Sequence, residues 1–556
     1  MTNSREHPFI PKLKELLAER EIDRREFLRT ATLLGMSAAA AYTFVGKVTG
    51  TGTASRAAET PKAGGTLRVG MRVQDITDPA TYDWTPKSNI ARHFLEYVTI
   101  TGADNITRPY LAESWQASDD LKTWTFKFRK GIKWSNGDDF TADHVAFNVE
   151  RWLASETGSS IQGLMSSATV SKEDGTIDAA PGVVEVVDDH TLRLNLAKPD
   201  LAIPEAFYHY PACICHPDSV VDGKMDIRKR PIGTGPFQLD DFAIGERAKL
   251  VKTDSYWGGP ESMEGGPYLD AITVIDLGDE QSAAIAALAS KQVDLLYEVA
   301  VRNLETVRQT RGTQIFEVVT AQTAVARFQM DKGPGNDPKV RRAFQLCMDH
   351  TKLLELAYYG RGQVAEDHHV CQIHPEYMEL AKLRQDYARA RRLLAEAGYP
   401  EGITLTLDVN ANEDWEVAMA QAMVAMAEPS GIKLKLNVMP GSQFWEIWDK
   451  TPFGLTGWTH RPLGIMVLNL AYRTGAVWNE SHFSDPDFDA ALDKAGAVLD
   501  PKERAMHVGT CEQILQDSGI ITQPLWRSLI TAGSERVKGF QLHPTNYHQF
   551  FRTWLT

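Results

Sequence analysis

Residues 111–145 read LAESWQASDDLKTWTFKFRKGIKWSNGDDFTADHV. Within them, Trp124-Thr125-Phe126-Lys127-Phe128-Arg129 alternates apolar with polar or basic residues, the period-two pattern of a half-buried strand, and Gly131 ends it. From Ala142 to Leu153 the apolar residues fall at helical spacing, with Thr141 as the expected N-cap.

Working outward, the same two periods interleave along the chain. Gly64 to Gly70 reads as a turn and a first strand. Val183 to Val187 and Thr191 to Leu196 flank Asp188-Asp189-His190 as a hairpin with an acidic turn. Ser282–Leu288 is predicted helical and Val293–Val299 a strand. Val340–Tyr359 reads as one long amphipathic helix stopped by Gly360. Helices over Tyr387–Ala397 and Glu413–Ala427 alternate with strands over Ile403–Val409 and Ile432–Val438. The fold class is therefore α/β.

The 556 residues, 43% hydrophobic and 24% charged, have ordinary globular composition. A net charge of -14 without a basic run argues against a nucleic-acid partner. Cys213, Cys215, Cys347, Cys371 and Cys511 are too few for a disulfide scaffold. Cys213-Ile-Cys215-His216 lacks the spacing and second pair of a zinc site, so buried thiols are expected.

The N-terminus resembles a twin-arginine export signal. Arg24-Arg25-Glu26-Phe27-Leu28-Arg29 precedes a weakly apolar stretch from Ala31 to Val45, too short for a permanent membrane span. Cleavage is expected after Ser55-Arg56-Ala57 or Arg56-Ala57-Ala58. No Cys lies near that junction, which speaks against a lipid anchor.

The blocks Leu111-Ala112-Glu113-Ser114-Trp115, Trp124 to Arg129, Gly131 to Gly137 and Thr141 to Val145 together resemble family-5 extracellular solute-binding proteins, the oligopeptide, dipeptide and nickel binders. Gly233-Thr234-Gly235-Pro236-Phe237, Tyr256-Trp257-Gly258-Gly259, Val340 to Phe344, Ala388 to Gly398 and Asp485 to Leu492 agree in the same order.

The resemblance implies a periplasmic-binding-protein type II-like fold, two lobes around a ligand cleft plus an extra α+β domain. The implied boundaries are 1–58 for signal and linker, 62–89, 206–312 and 528–556 for lobe I, 90–205 for the extra domain and 313–527 for lobe II. It also implies the substrate-binding component of an ABC importer, periplasmic and without catalysis or cofactor. Such a protein captures a peptide or other small polar solute by hinge closure and delivers it to the permease and ATPase subunits. The solute biases closure by its differential affinity for the closed form, and a micromolar dissociation constant is worth about 8 kcal/mol.

Relatives that bind peptides carry Gly-Trp and, a few residues on, an Asp that pairs with the α-amino group. Here Gly457-Trp458-Thr459-His460-Arg461-Pro462 keeps Trp458 but puts Arg461 near the Asp position. A guanidinium favours a carboxylate, so Trp458, His460 and Arg461 are expected to meet an anionic, amino-acid-like solute. His368 and His369, in Glu366 to His374, are read as ligand hydrogen-bonders, with structural loop contacts as the competing reading and a nickel-type metal or metal-chelate carrier as the alternative. Asp83 and Trp84 after the first strand, and Trp478 and Asn479, complete the candidate set, although Asp78-Pro79 nearby also reads as turn chemistry. A secreted hydrolase is the remote alternative: there is no Walker A, His-Glu-x-x-His or Gly-x-Ser-x-Gly motif. Gly360-Arg361-Gly362-Gln363-Val364-Ala365 follows a helix where a dinucleotide fingerprint needs a strand.

Overall fold

The structure, a computed structural model, describes residues 7–36, 38–49, 60–259 and 266–556. They form two units. One holds the N-terminal part through Tyr297, Val307–Phe316 and Thr531–Thr556; the other holds Glu298–Thr306 and Glu317–Ile530.

In the first unit, strand Thr66–Gly70 lies between two parallel neighbours, Ala271–Ile275 and Leu295–Leu296. Arg247–Lys252 joins Ala271–Ile275 antiparallel, and Phe237–Ala243 pairs with Arg247–Lys252. Gly233 sits just before this sheet against the backbone of Phe94, where a Cβ would come within 1.8 Å of the Phe94 carbonyl oxygen. Only glycine admits that approach.

A separate four-stranded antiparallel sheet runs Ala112–Ala117, Thr123–Phe128, Thr191–Asn195, Val184–Asp188. Trp124, Phe126 and Phe128 are all buried, as the alternation predicts. Helix Ala142–Leu153 begins after Thr141, whose N–H donates to His144 Nδ1 at 3.0 Å.

The N-terminal residues form helices Ile10–Ala18, Arg24–Leu33 and Ala38–Thr49. Asp23 caps the second by accepting from the Glu26 N–H at 2.8 Å. Arg24 and Arg25 stay exposed, while Phe27, Leu28, Ala31 and Leu33 are buried. The Trp115 indole N–H donates to the Leu33 carbonyl at 2.7 Å, and Arg29 Nε donates to that of Asn105 at 3.3 Å. The proposed cleavage residues at 55–58 lie outside the described residues. Among the described residues no helix is long and apolar enough to cross a membrane.

In the second unit, Phe453–Trp458 pairs antiparallel with residues 323–328, the end of strand Thr313–Phe328, and parallel with Ile403–Asn410. Ile432–Met439 continues the parallel set beside Ile403–Asn410. Helix Asp414–Ala427 buries Trp415, Met419, Ala420 and Met423.

Two sequence expectations change. The long helix over Val340–Tyr359 is two, Pro338–Cys347 and His350–Tyr358. Met348 is extended, and Asp349 starts a new helix by accepting from the Lys352 N–H. The strand expected over Val293–Val299 narrows to Leu295–Leu296. There the Asp294 carboxylate takes Arg68 N–H and guanidinium donors, while the Asp294 and Tyr297 N–H groups still donate to the Arg68 and Gly70 carbonyls. All five cysteines are buried and unpaired.

Candidate functional site

Strands Ile403–Asn410 and Phe453–Trp458 run parallel, with Asp408 opposite Gly454 and Val409 opposite Leu455, so their carboxyl ends share one edge. In open α/β sheets that edge is where ligands are taken. Successive side chains point to opposite faces of a strand. Thr456 and Trp458 thus face one side and Gly457 the other.

On the Trp458 side the indole N–H donates to Glu480 Oε1 at 2.9 Å. Glu480 Oε2 accepts from Arg327 Nε at 2.8 Å and from Thr456 Oγ1 at 2.6 Å. The Trp458 ring meets His369 edge-on at 5.4 Å and Trp478 at 6.1 Å between centroids. Rings continue through Trp448, 6.5 Å from Trp478, to Trp445, which is 51% exposed. An aromatic track therefore leads from the surface to the buried Trp458. His369 Nδ1 is 2.9 Å from the Tyr472 hydroxyl. Burial, then neighbouring His374, His368 and Arg461, lower its pKa to about 3, so the ring is neutral.

On the Gly457 side stands Glu416, from the first turn of helix Asp414–Ala427. A Cβ on Gly457 would lie 2.3 Å from Glu416 Oε1, so the missing side chain makes the space the carboxyl occupies. Arg527 is close by: it donates to Glu298, to Gln322 Oε1 at 2.6 Å and to the Tyr358 hydroxyl at 3.1 Å. Its guanidinium lies over the Trp415 ring at 5.3 Å. Burial and the neighbouring Glu298 push Glu413 up to about 7, and burial with Glu413 pushes Glu416 well above the carboxylate range.

The other sequence candidates fall as follows. His460 Nδ1 accepts from the Ala321 N–H at 3.2 Å, and its ring stacks on His374 at 5.9 Å. Arg461 is buried, its Nη1 donating to the Thr459 and His460 carbonyls at 3.2 Å each. His368 lies 3.1 Å from Glu366 Oε2. Asn479 donates to the Arg473 and Phe483 carbonyls and accepts from Ser481 and Phe483, ordering the turn that carries Trp478. Asp83 and Trp84 belong to the first unit: Asp83 pairs with Lys87 at 2.7 Å, and Trp84 is 40% exposed. Sequence reasoning did not select Glu416, Arg527, Tyr472 or Glu480 as site residues. The run Glu413-Asp414-Trp415-Glu416 reads as the usual acids of a helix start.

The histidines of 366–374 have separate partners. Among the described residues the group of metal-type donors within 4.8 Å of one another is Asp138, His216 and Asp218, in the first unit. There His216 Nδ1 accepts from the Asp218 N–H at 3.0 Å, which places the ring proton on Nε2, 3.2 Å from Asp138.

Residues 107–470 match the family of bacterial extracellular solute-binding proteins, family 5, in its middle portion. The glutathione-binding protein GsiB of Salmonella choleraesuis is 24% identical over 494 residues, covering 85% of this chain and 91% of its own. The heme-binding protein A of Haemophilus influenzae is 27% identical over 476 residues, 80% of this chain and 83% of its own. The periplasmic binding protein DppA from Helicobacter pylori, solved with the peptide STSA, superposes with a TM-score of 0.77 at 21% identity, covering 89% of this chain and 98% of its own. That likeness gives the α/β binding-protein fold. With the family pattern spanning more than half of its length, the chain belongs to the family-5 bacterial extracellular solute-binding proteins.

Proposed function

We propose that the protein is the periplasmic capture component of an ABC importer, taking a peptide or other small polar solute by hinge closure and passing it to the permease and ATPase subunits. The observation that carries this reading is the set of side chains at the shared carboxyl edge of strands 403–410 and 453–458 in a family-5 chain. In it Trp458, Trp478 and His369 line the binding surface, while His368 and His460 steady the segments behind it. Asn479 shapes the Trp478 turn, and Arg461 meets a carboxylate of the solute. Asp83 and Trp84 are assigned to ligand contact from their own unit. The relatives' names, a glutathione binder and a heme binder, and the peptide held by DppA are consistent with a broad solute range in the family.

Export by the twin-arginine route belongs to the same reading and rests on Arg24-Arg25 with Phe27-Leu28. No catalytic step is assigned to the chain. Native mass spectrometry of gently purified protein tests capture: a retained organic molecule of defined mass is expected. Stoichiometric nickel or zinc by elemental analysis would replace the reading with a metal carrier.

A further inference from the structure

Helix Tyr387–Glu396, in the second unit, turns one face inward and the other to solvent. Ala390 and Leu394 are buried and share one face, being one turn apart. At 3.6 residues per turn Arg392 falls opposite that pair, with Arg389 and Arg391 to either side. The exposed positions of the helix are Ala388, Arg389, Arg391, Arg392, Ala395 and Glu396.

The helix is firmly seated. Asp386 caps it by accepting from the Arg389 N–H at 2.8 Å, and its own N–H donates to the Leu346 carbonyl at 2.8 Å. Gln385 Nε2 donates to the Cys347 carbonyl at 2.7 Å, and Arg391 Nη1 to that of Pro429 at 2.5 Å. A face held in this way costs a partner little ordering.

Its charge is not balanced locally, although the whole chain carries a net -14. Nearby, Lys339 pairs with Glu396 at 3.3 Å and Arg342 with Asp517 at 3.1 Å. Among the described residues Lys382, Arg384, Arg389 and Arg392 have no carboxylate partner. Unpaired cations gathered within residues 382–392 make a positive field that acidic groups would complement.

A second observation lies at the end of the helix. Gly398, in the left-handed region at φ +90°, turns the chain. Ala397 and Tyr399 then line a depression of about 360 Å³ with Gly333, Pro334, Asn336 and Asp337, ample for a side chain.

We propose that this arginine face and the depression beside it form a docking surface for a loop of a protein partner rich in Asp and Glu. Guanidinium forks match carboxylates in two-point contact. A lipid surface fits less well, since alanines separate the arginines and no large apolar side chain stands out to enter it. A loop, unlike a headgroup, also has a side chain for the depression. The inference rests on the importer reading above, in which the partner is the permease.

The test uses the full chain in cells of its native host, with p-benzoylphenylalanine in place of Ala395. Light forms a cross-link, and mass spectrometry identifies the linked peptide. A link to an acidic loop of an ABC permease is expected. Arg389→Glu with Arg392→Glu should cut its yield at least about tenfold, and Arg389→Gln with Arg392→Gln by less. Lys127→Glu with Lys130→Glu makes the same charge change at exposed positions of the first unit and should leave the yield as it was. Thermal unfolding by circular dichroism checks that every variant folds. Adducts with lipid alone, no adduct, or a yield that survives the arginine reversal overturns the inference. A link to an acidic loop of another membrane protein keeps the docking surface and removes the importer reading. Solute retention in native mass spectrometry should be equal in all variants; no retention by the native protein ends capture and leaves the cross-link to be judged on its own.

Discussion

Arg327 and Glu480 form an ion pair sealed from solvent, Nε to Oε2 at 2.8 Å, with side-chain exposures of 0% and 4%. Arg327 also donates to the Thr451 carbonyl at 2.6 Å and to that of Trp448. Through Glu480 the pair fixes the Trp458 indole. Removing one partner leaves the other charge buried and uncompensated. Glu480→Ala should therefore destabilise the fold by about 3–5 kcal/mol, read from urea unfolding followed by circular dichroism. Trp458→Phe, which takes away one N–H donor, should cost about 1–3 kcal/mol. Equal, small losses for both would show that the pair does not organise this face.

Gly457→Ala separates fold from binding. The added Cβ meets the end of the Glu416 side chain, which can move, so the stability loss should stay near about 1 kcal/mol. Affinity for a solute taken at the Trp458 edge should fall at least about tenfold in titration calorimetry. Unchanged affinity would mean that Glu416 does not need its present place.

Gly233→Ala makes a harsher contrast. Its Cβ would strike the Phe94 carbonyl, backbone that cannot swing away. A loss of about 3 kcal/mol or more, or failure to accumulate soluble protein, is expected.

Arg461→Ala tests the carboxylate assignment. An anionic solute should bind more weakly by about 2–5 kcal/mol, the scale of a broken buried charge pair. The same affinity for variant and native protein would reduce Arg461 to the carbonyl contacts of its own turn.

The acid side of the stability curve has its own sources. His369, His543 and His548 are buried, and each has its pKa lowered from 6.5 to about 3. Between those values the unfolded chain binds more protons than the folded one. Their contribution is complete above about 6.5 and lost as pH falls towards 3. Glu96 has the opposite sign. Burial raises it to about 7 from 4.5 despite donors from Trp257 and Tyr256, so its contribution is present below about 4.5 and lost as pH rises to 7. His548→Gln should shrink the stability drop between pH 7.5 and 4.5 by about 2–3 kcal/mol, measured from urea midpoints. An unchanged drop would show that His548 titrates normally.

The elements with one clear period were legible in the chain. Trp124-Thr125-Phe126-Lys127-Phe128 alternates because one face of its sheet is core, and Ala142–Leu153 is amphipathic because it has a single buried side. The break at Met348-Asp349 was hidden, since apolar spacing continues across it and Asp349 looks like any polar helix residue until its cap bond is seen. At the candidate site Trp458 was legible through its family setting. Glu416 and Arg527 were not: they lie 111 residues apart and meet only through the fold, near a glycine whose meaning is the atom it lacks.

The N-terminal helix Arg24–Leu33 lies against Trp115 and Asn105 with Phe27 and Leu28 turned inward. The chain thereby carries its own cover for an apolar seat. A form cut after that helix would differ from the intact one in more than length. It would free the Trp115 N–H from the Leu33 carbonyl and uncover that indole, a change that a solvatochromic dye could read.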